Sequence, residues 1–310
     1  MARVLPTAIV VALLAASAGA FAVTERAKLE LSPIYGTRII NPDFSPNGKA
    51  KPAVTVEFRV RPRERIDAWI ADTHGRRVSN LLFDRSVGPK QKVDLVWDGL
   101  TPGGIAAPDG VYRPVVKLLH SHRTITLPSD LRLDTKAPVI HVAHPQFPVI
   151  SPDGDGHADV FRIHYTVSEP AHAILLLRGR QVVFTRGQKR SGMLVWNGFF
   201  PGTSRPLPPG RYVLAVEAQD TAGNRSPVLR FAIAQIRFVA LGRDRVVVAP
   251  GKRFAIRVST DAPRVAWRLH GRSGTAPRGT LHLRAPKKPG VYHLYVTIAG
   301  RSAKAAIVVG

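Results

Sequence analysis

Apolar and polar residues alternate along most of this chain in short runs. Val54, Val56, Phe58 and Val60 fall on every second position, with Thr55, Glu57 and Arg59 between them. Phe161, Ile163, Tyr165 and Val167 repeat the pattern, with Arg162, His164 and Thr166 as polar partners. A period of two sends alternate side chains to opposite faces of a strand, one toward a core and one toward solvent. Clusters of Gly, Pro, Asn and Asp separate these runs, and 26 Gly with 26 Pro make turns frequent. No stretch after residue 30 sustains a 3.6-residue period. The pattern predicts an all-β protein of packed sheets.

The turn signals are themselves repeated. Leu95-Val96-Trp97-Asp98-Gly99 leads through Gly103-Gly104 to Pro108-Asp109-Gly110-Val111-Tyr112. Leu194-Val195-Trp196-Asn197-Gly198 leads through Gly202 to Pro208-Pro209-Gly210-Arg211-Tyr212. The tryptophans lie 99 residues apart and the tyrosines 100. Each phrase has an upstream partner, Phe44-Ser45-Pro46-Asn47-Gly48 in one copy and Ile150-Ser151-Pro152-Asp153-Gly154 in the other. Recurrence at this spacing indicates two copies of one domain. A third region keeps Pro289-Gly290-Val291-Tyr292 but lacks the Ser-Pro opening, and carries six candidate strands.

The repeated aromatics have an architectural reading. Trp97 and Trp196 end strands and can fill a core while the following Asx-Gly pair turns the chain. Tyr112 and Tyr212 open the next strand and can bury their rings while tying their hydroxyls to backbone. A sugar-binding aromatic platform is the functional alternative, and the matched turn positions favour architecture. The phrase resembles the immunoglobulin-like module named for the flagellar hook-capping protein FlgD, and the Ser-Pro openings are similar to related modules of secreted bacterial surface proteins. Ala218-Gln219-Asp220-Thr221-Ala222-Gly223-Asn224 is similar to the last hairpin of many bacterial Ig-like domains. The resemblance covers residues 44–234, with Asn197 standing for Asp and Pro209 for Asp in the second copy. It implies Ig-like sandwiches and little about function, because such modules are attached to many kinds of exported protein. The polar N-terminal region of the hook-capping protein has no counterpart here, so no flagellar role carries over.

Its place is taken by an apolar segment. Arg3 precedes residues 4–23, a span of 20 residues without a charge, rich in Ala, Val and Leu. A cleaved signal peptide and an uncleaved signal anchor both fit; Ala18-Gly19-Ala20-Phe21-Ala22 offers small-residue cleavage sites, while the length favours the anchor. With no cysteine there is no lipoprotein acylation site, disulfide, thiolate metal site or cysteine nucleophile.

The formal net charge of +24, from 45 Lys and Arg against 21 Asp and Glu, attracts polyanions. Anionic cell-envelope polymer and lipid headgroups are the expected partners. The basic residues are spread along the chain, as a GC-rich genome would also encode, and no pattern for sequence-specific nucleic-acid recognition occurs. Asp153, Asp155 and Asp159 on a Gly-spaced loop resemble part of a calcium loop, although the distal bidentate Glu is missing and an Asx-rich turn explains the same residues. His120/His122 and His141/His144 have ligand-like spacing without a completing carboxylate nearby. Gly-x-Ser-x-Gly, His-Glu-x-x-His and phosphate-cradling Gly loops are absent.

The expected organisation is a signal peptide or anchor helix over 1–23, a linker over 24–43, Ig-like sandwiches over 44–138 and 139–234, and a smaller sandwich over 235–310. The expected role is a non-enzymatic binding or structural protein outside the cytoplasm, membrane-anchored or secreted. An accessory subunit of an envelope or secretion assembly, and an enzyme acting on cell-wall polymer, are the rival readings.

Overall fold

The computed structural model describes residues 10–19, 31–143 and 149–310. Residues 10–19 form a helix, and among the described residues no helix is long and apolar enough to cross a membrane. The apolar segment 4–23 therefore lies partly outside the described residues. The chain divides into two compact units, Met1–Thr135 and Lys136–Gly310. The first holds one hydrophobic core and the second holds two.

The first sandwich comprises β1 (Ile34–Ile40), β2 (Asp43–Phe44), β3 (Val54–Val60), β4 (Glu64–Asp72), β5 (Arg77–Val87), β6 (Lys92–Trp97), β7 (Gly110–Leu118), β8 (Arg123–Thr126) and β9 (Leu131–Leu133). Its sheets have the orders β1-β3-β6 and β2-β9-β7-β4-β5, with β8 beside β7. The second comprises β10 (Ile140–Val142), β11 (Val149–Ile150), β12 (Phe161–Leu177), β13 (Arg180–Phe184), β14 (Lys189–Trp196), β15 (Gly210–Gln219) and β16 (Leu229–Ile236). Here one long strand does the work of β3 and β4. The start of β12 pairs with β10 and β14, and its end pairs with β13 and β15, across an irregularity between Thr166 and Ala171.

The third sandwich comprises β17 (Ala240–Leu241), β18 (Arg245–Val248), β19 (Arg253–Ser259), β20 (Arg264–Leu269), β21 (Arg272–Pro277), β22 (Gly279–Arg284), β23 (Gly290–Ile298) and β24 (Arg301–Val309). Its sheets run β17-β19-β22 and β18-β24-β23-β20-β21. All three sandwiches share one pairing plan, a three-strand set and a set built on a five-strand path; the first adds β8 to the larger set, and in the second the long β12 belongs to both sets. In each, the second strand pairs parallel with the last, and the other pairings are antiparallel. The protein is all-β, built of tandem Ig-like sandwiches.

Three sequence expectations need correction. The linker expected over 24–43 contains β1, which pairs with β3 and places Ile34 in the first core. A bulge between Tyr35 and Arg38, with Gly36 at φ 63°, breaks the two-residue period that would have revealed it. The second sandwich extends past 234, because β16 ends at Ile236 and Phe238 is buried in that core. The third region has eight strands rather than six; β21 lacks apolar alternation and β17 is only two residues long.

The repeated phrase acts as a clasp in both copies. Trp97 and Trp196 are buried, and each indole N–H donates to a turn carbonyl, Leu100 O or Phe199 O, at 2.9 Å. Tyr112 and Tyr212 meet these rings edge-on at centroid distances of 4.9 and 6.3 Å. Their hydroxyls donate to the carbonyls of Pro108 and Pro208, four residues back, at 2.5 and 2.6 Å. Burial pushes both phenols up, and for Tyr112 the charges of Asp72 and Asp109 add to it, so the hydroxyls remain donors. Asp98 and Asn197 each accept from the amide two residues on, which only needs an oxygen and explains their exchange.

The glycine of the phrase joins it to the Ser-Pro opening. Gly99 has φ 81°, and a Cβ there would stand 2.9 Å from Leu133 Cδ1 and 3.2 Å from Phe44 Cε2, beside Pro46. Gly198, at φ 79°, would meet Pro152 Cγ at 2.9 Å. Gly104 has a similar φ of 74° with no atom within 4 Å. Gly104→Ala is therefore expected to cost about 1 kcal/mol, from backbone strain alone. Gly99→Ala should cost roughly 2 kcal/mol more, from the added overpacking. Urea unfolding of the two variants measures the difference; equal losses would show that the contact carries no weight.

Candidate functional site

Concentrated chemistry occurs, among other places, at a buried carboxylate in the first sandwich, an acidic loop and an outer-face cavity in the second, and a basic face in the third. The recurring aromatics serve the cores, and of the four only Tyr212 also lines one of these places, the outer-face cavity.

Glu64 opens β4 and is 1% exposed. Its Oε1 accepts from the amides of His120 (2.7 Å) and Arg65 (3.0 Å) and lies 2.9 Å from His120 Nδ1, while Oε2 accepts from Ser121 at 3.1 Å. Burial pushes this carboxyl up, but the hydrogen bonds from His120, Arg65 and Ser121 outweigh it and hold the group below its ordinary value. His120 therefore closes the β7–β8 turn. His122, at φ 51°, turns the chain beside it, so the pair does not form a strand-face chelate. His141 is exposed on β10, and His144 lies outside the described residues.

The carboxylates of Asp153, Asp155 and Asp159 each bring an oxygen within 4.8 Å of the others. Burial pushes Asp153 up, and the neighbouring charges of Asp155, Asp261 and Asp159 add to it against the pull of the Asp155 amide. Asp159 is already engaged. Its Oδ1 accepts from the amides of Asp153 and Gly154 at 3.1 and 2.8 Å, and its Oδ2 from Gly156 at 2.8 Å. Asp155 Oδ1 accepts from His157 N at 2.8 Å. A hard cation asks for six to eight oxygens, and these amides compete for the ones the loop offers.

The acidic loop also changes its own serine. In the first sandwich Ser45 Oγ accepts from Asn47 N at 3.2 Å. In the second, the matching amide of Asp153 turns to Asp159, and the buried Ser151 Oγ has no partner. Ser151 lines a cavity of about 540 Å³ at the junction of the second and third sandwiches, together with Arg237, Arg257, Thr260, Asp261 and Arg278. Arg278 Nη1 donates to the Asp261 carbonyl at 3.0 Å, and Asp261 Oδ2 is buried without a partner.

The basic face adjoins this cavity. Residues 235–310 carry fifteen Lys and Arg against two Asp and no Glu, a formal +13, more than half of the net charge of the whole chain. Phe254, Ile256 and Val258 of β19 and Leu281 and Leu283 of β22 point into the core. Strand alternation places Arg253, Ala255 and Arg257, with Thr280, His282 and Arg284, on the outer face. Register sets Arg253 directly opposite Arg284, Ala255 opposite His282 and Arg257 opposite Thr280. The matching face of the first sandwich is neutralised, with Lys92 Nζ 2.7 Å from Glu57 and 3.2 Å from Asp94. Among the described residues, no ion pair falls within 235–310. In sequence this face shows only as Arg253 and Arg257, four residues apart; the juxtaposition of Arg253 with Arg284 comes from residues 31 apart.

A cavity of about 640 Å³ lies on the outer face of β12, β15 and β16, lined by Leu176, Val213 and four arginines, of which Arg225 is held by Glu217 at 2.6 Å. Each of the two cavities is lined by a single acid, Glu217 or Asp261, so neither holds the paired acids of glycoside hydrolysis.

Glu64 gives a pH prediction. A carboxyl held low in the folded state stabilises fully above its ordinary value of about 4.5, and the benefit is lost as pH falls through the folded value. Glu64→Gln should lower the unfolding free energy by about 2 kcal/mol at neutral pH. That gap should shrink as the pH drops below about 4.5; a pH-independent gap would show that the charge is irrelevant. For the acidic loop, its own hydrogen bonds account for the conformation, so millimolar calcium is expected to leave the melting temperature unchanged. A rise of several degrees would establish a cation site.

No protein-family model matches the chain, and no curated protein matches it. Among solved structures, it is similar to the fibronectin(III)-like modules of Clostridium thermocellum CbhA at 13% identity, covering 65% of this chain and 94% of that one, with a TM-score of 0.38. It is also similar to three N-terminal domains of the bacteriophage RB49 outer capsid protein Hoc, at 12% identity, 88% and 97% coverage and a TM-score of 0.28. The S-layer protein rSbsC matches at 10% identity, 84% and 52% coverage and a TM-score of 0.20.

Proposed function

We propose that this protein is a non-enzymatic structural or binding component of the bacterial cell envelope, acting outside the cytoplasm through its basic surface. The observation that carries the reading is the excess of unpaired cation on rigid sandwiches whose recurring aromatics are spent on the cores. Folded cores with matched clasps make stiff display elements, and surface charge of one sign draws in anionic polymer or lipid headgroups. The Trp-Asx-Gly and Pro-x-Gly-x-Tyr phrases support a FlgD-type identity for the modules. The uncharged 20-residue span over 4–23 supports export, with retention as a signal anchor.

Cell fractionation tests this reading. The chain is expected in the envelope fraction, with intact mass including residues 1–22 and release by detergent. A truncation lacking residues 1–30 should bind isolated envelopes at low salt and leave them at high salt, because charge contacts are screened. Recovery of the full chain in the cytosol, or no envelope binding by the truncation at low salt, would overturn the proposal.

A further inference from the structure

We propose that the outer face of β19 and β22, continued by the cavity at its end, is a track for a linear phosphate-bearing polymer. The inference rests on the envelope-binding reading above and assigns it one surface and one ligand chemistry.

Three observations converge. First, Arg253 and Arg284 stand directly opposite one another with no acid on their face, and like charges at opposed positions disfavour the folded sheet. The first sandwich also sets two cations opposite one another, Arg59 and Lys92, but its face carries Glu57 and Asp94 beside Lys92, so that charge is met within the chain. For Arg253 and Arg284 a counter-charge from outside the chain does so.

Second, the cations form a line. Arg257 follows Arg253 by four residues on one strand, about 13 Å along it. Arg257 also lines the cavity, where Arg278 and Arg237 join it. Beside Arg257 the chain has Gly242, whose missing side chain leaves the arginine stem uncovered; a Cβ there would stand 3.1 Å from Arg257 Cβ. Planar guanidinium forks grip phosphate in two-point contacts, which a row of lysines would not reproduce.

Third, three cationic side chains, Arg237, Arg257 and Arg278, line the cavity against one carboxylate, Asp261, so a phosphate unit entering it meets net positive charge. A recess of about 540 Å³ takes in one unit of a chain, whereas a bilayer surface meets only the outermost cations. The geometry favours a polymer over a membrane.

Binding of long-chain inorganic polyphosphate and of anionic phosphatidylglycerol vesicles tests the proposal, using the full chain across a salt series. One variant combines Arg253→Gln, Arg257→Gln and Arg284→Gln. A control removes the same charge from exposed arginines of the first sandwich, with Arg63→Gln, Arg85→Gln and Arg123→Gln. The face variant is expected to lose polyphosphate affinity about tenfold or more and to lower the salt slope by about two. The control should change affinity about twofold at most. The face variant should melt no lower than the native chain, because it relieves repulsion, so lost binding cannot be ascribed to unfolding. Equal weakening by both variants would overturn the track while leaving charge-driven envelope binding intact. Loss of vesicle binding alone would assign the face to a membrane and overturn it too. Failure of the native chain to bind either probe would remove both this inference and the reading beneath it.

Discussion

Each of the first two sandwiches depends on one close approach, that of the glycine after its tryptophan to the segment that opens the domain. The chain leaves β6 or β14 with a positive φ and passes under Pro46 or Pro152 with no room for a side chain. The indole N–H then binds the carbonyl of the turn that follows, and the tyrosine ring packs across the indole. The opening segment, the end of the three-strand sheet and the start of the hairpin back to the five-strand sheet are thereby fixed together. An aromatic core alone would tolerate slippage. The glycine contact removes that freedom, and this is why the Ser-Pro opening and the Trp-Asx-Gly phrase recur as a set.

The third sandwich shows which parts of the clasp the topology needs. At the tryptophan position it has Leu283, paired with Phe254 as Trp97 is paired with Val54 and Trp196 with Phe161. The tyrosine link persists, with Tyr292 donating to the Lys288 carbonyl at 2.9 Å. Strand order and the parallel closing pair persist as well. A leucine fills the inter-sheet space without the indole's directional bond. The pairing pattern is therefore carried by alternation and turn chemistry, and the tryptophan adds precision to it.

The legible parts of the sequence were those written locally. Alternation marked β3 and β12, and the turn residues marked the clasp, because both signals sit within a few neighbouring positions. β1 escaped because its bulge breaks the period, and β21 because an edge strand has only one flank to bury. The acidic loop was visible as a cluster, yet its hydrogen bonding, with Asp159 satisfying three amides, depends on backbone geometry that composition does not carry. Glu64 gave no signal at all. Its partners lie 56 and 57 residues away, on a turn whose histidines looked like ligands for something else.

The basic face was hidden for the same reason, and its energetics explain why a fold can keep it. Two guanidinium groups about 5 Å apart in water repel by about 0.8 kcal/mol, too little to unfold a sandwich with a complete core. Arg253 and Arg284 are directly opposed in register, which places their Cβ atoms about 5 Å apart. Arg257 lies about 13 Å along the strand, beyond the Debye length of about 8 Å at physiological salt. The two positions are thus electrostatically separate, and on the proposed track only an extended polyanion would reach both.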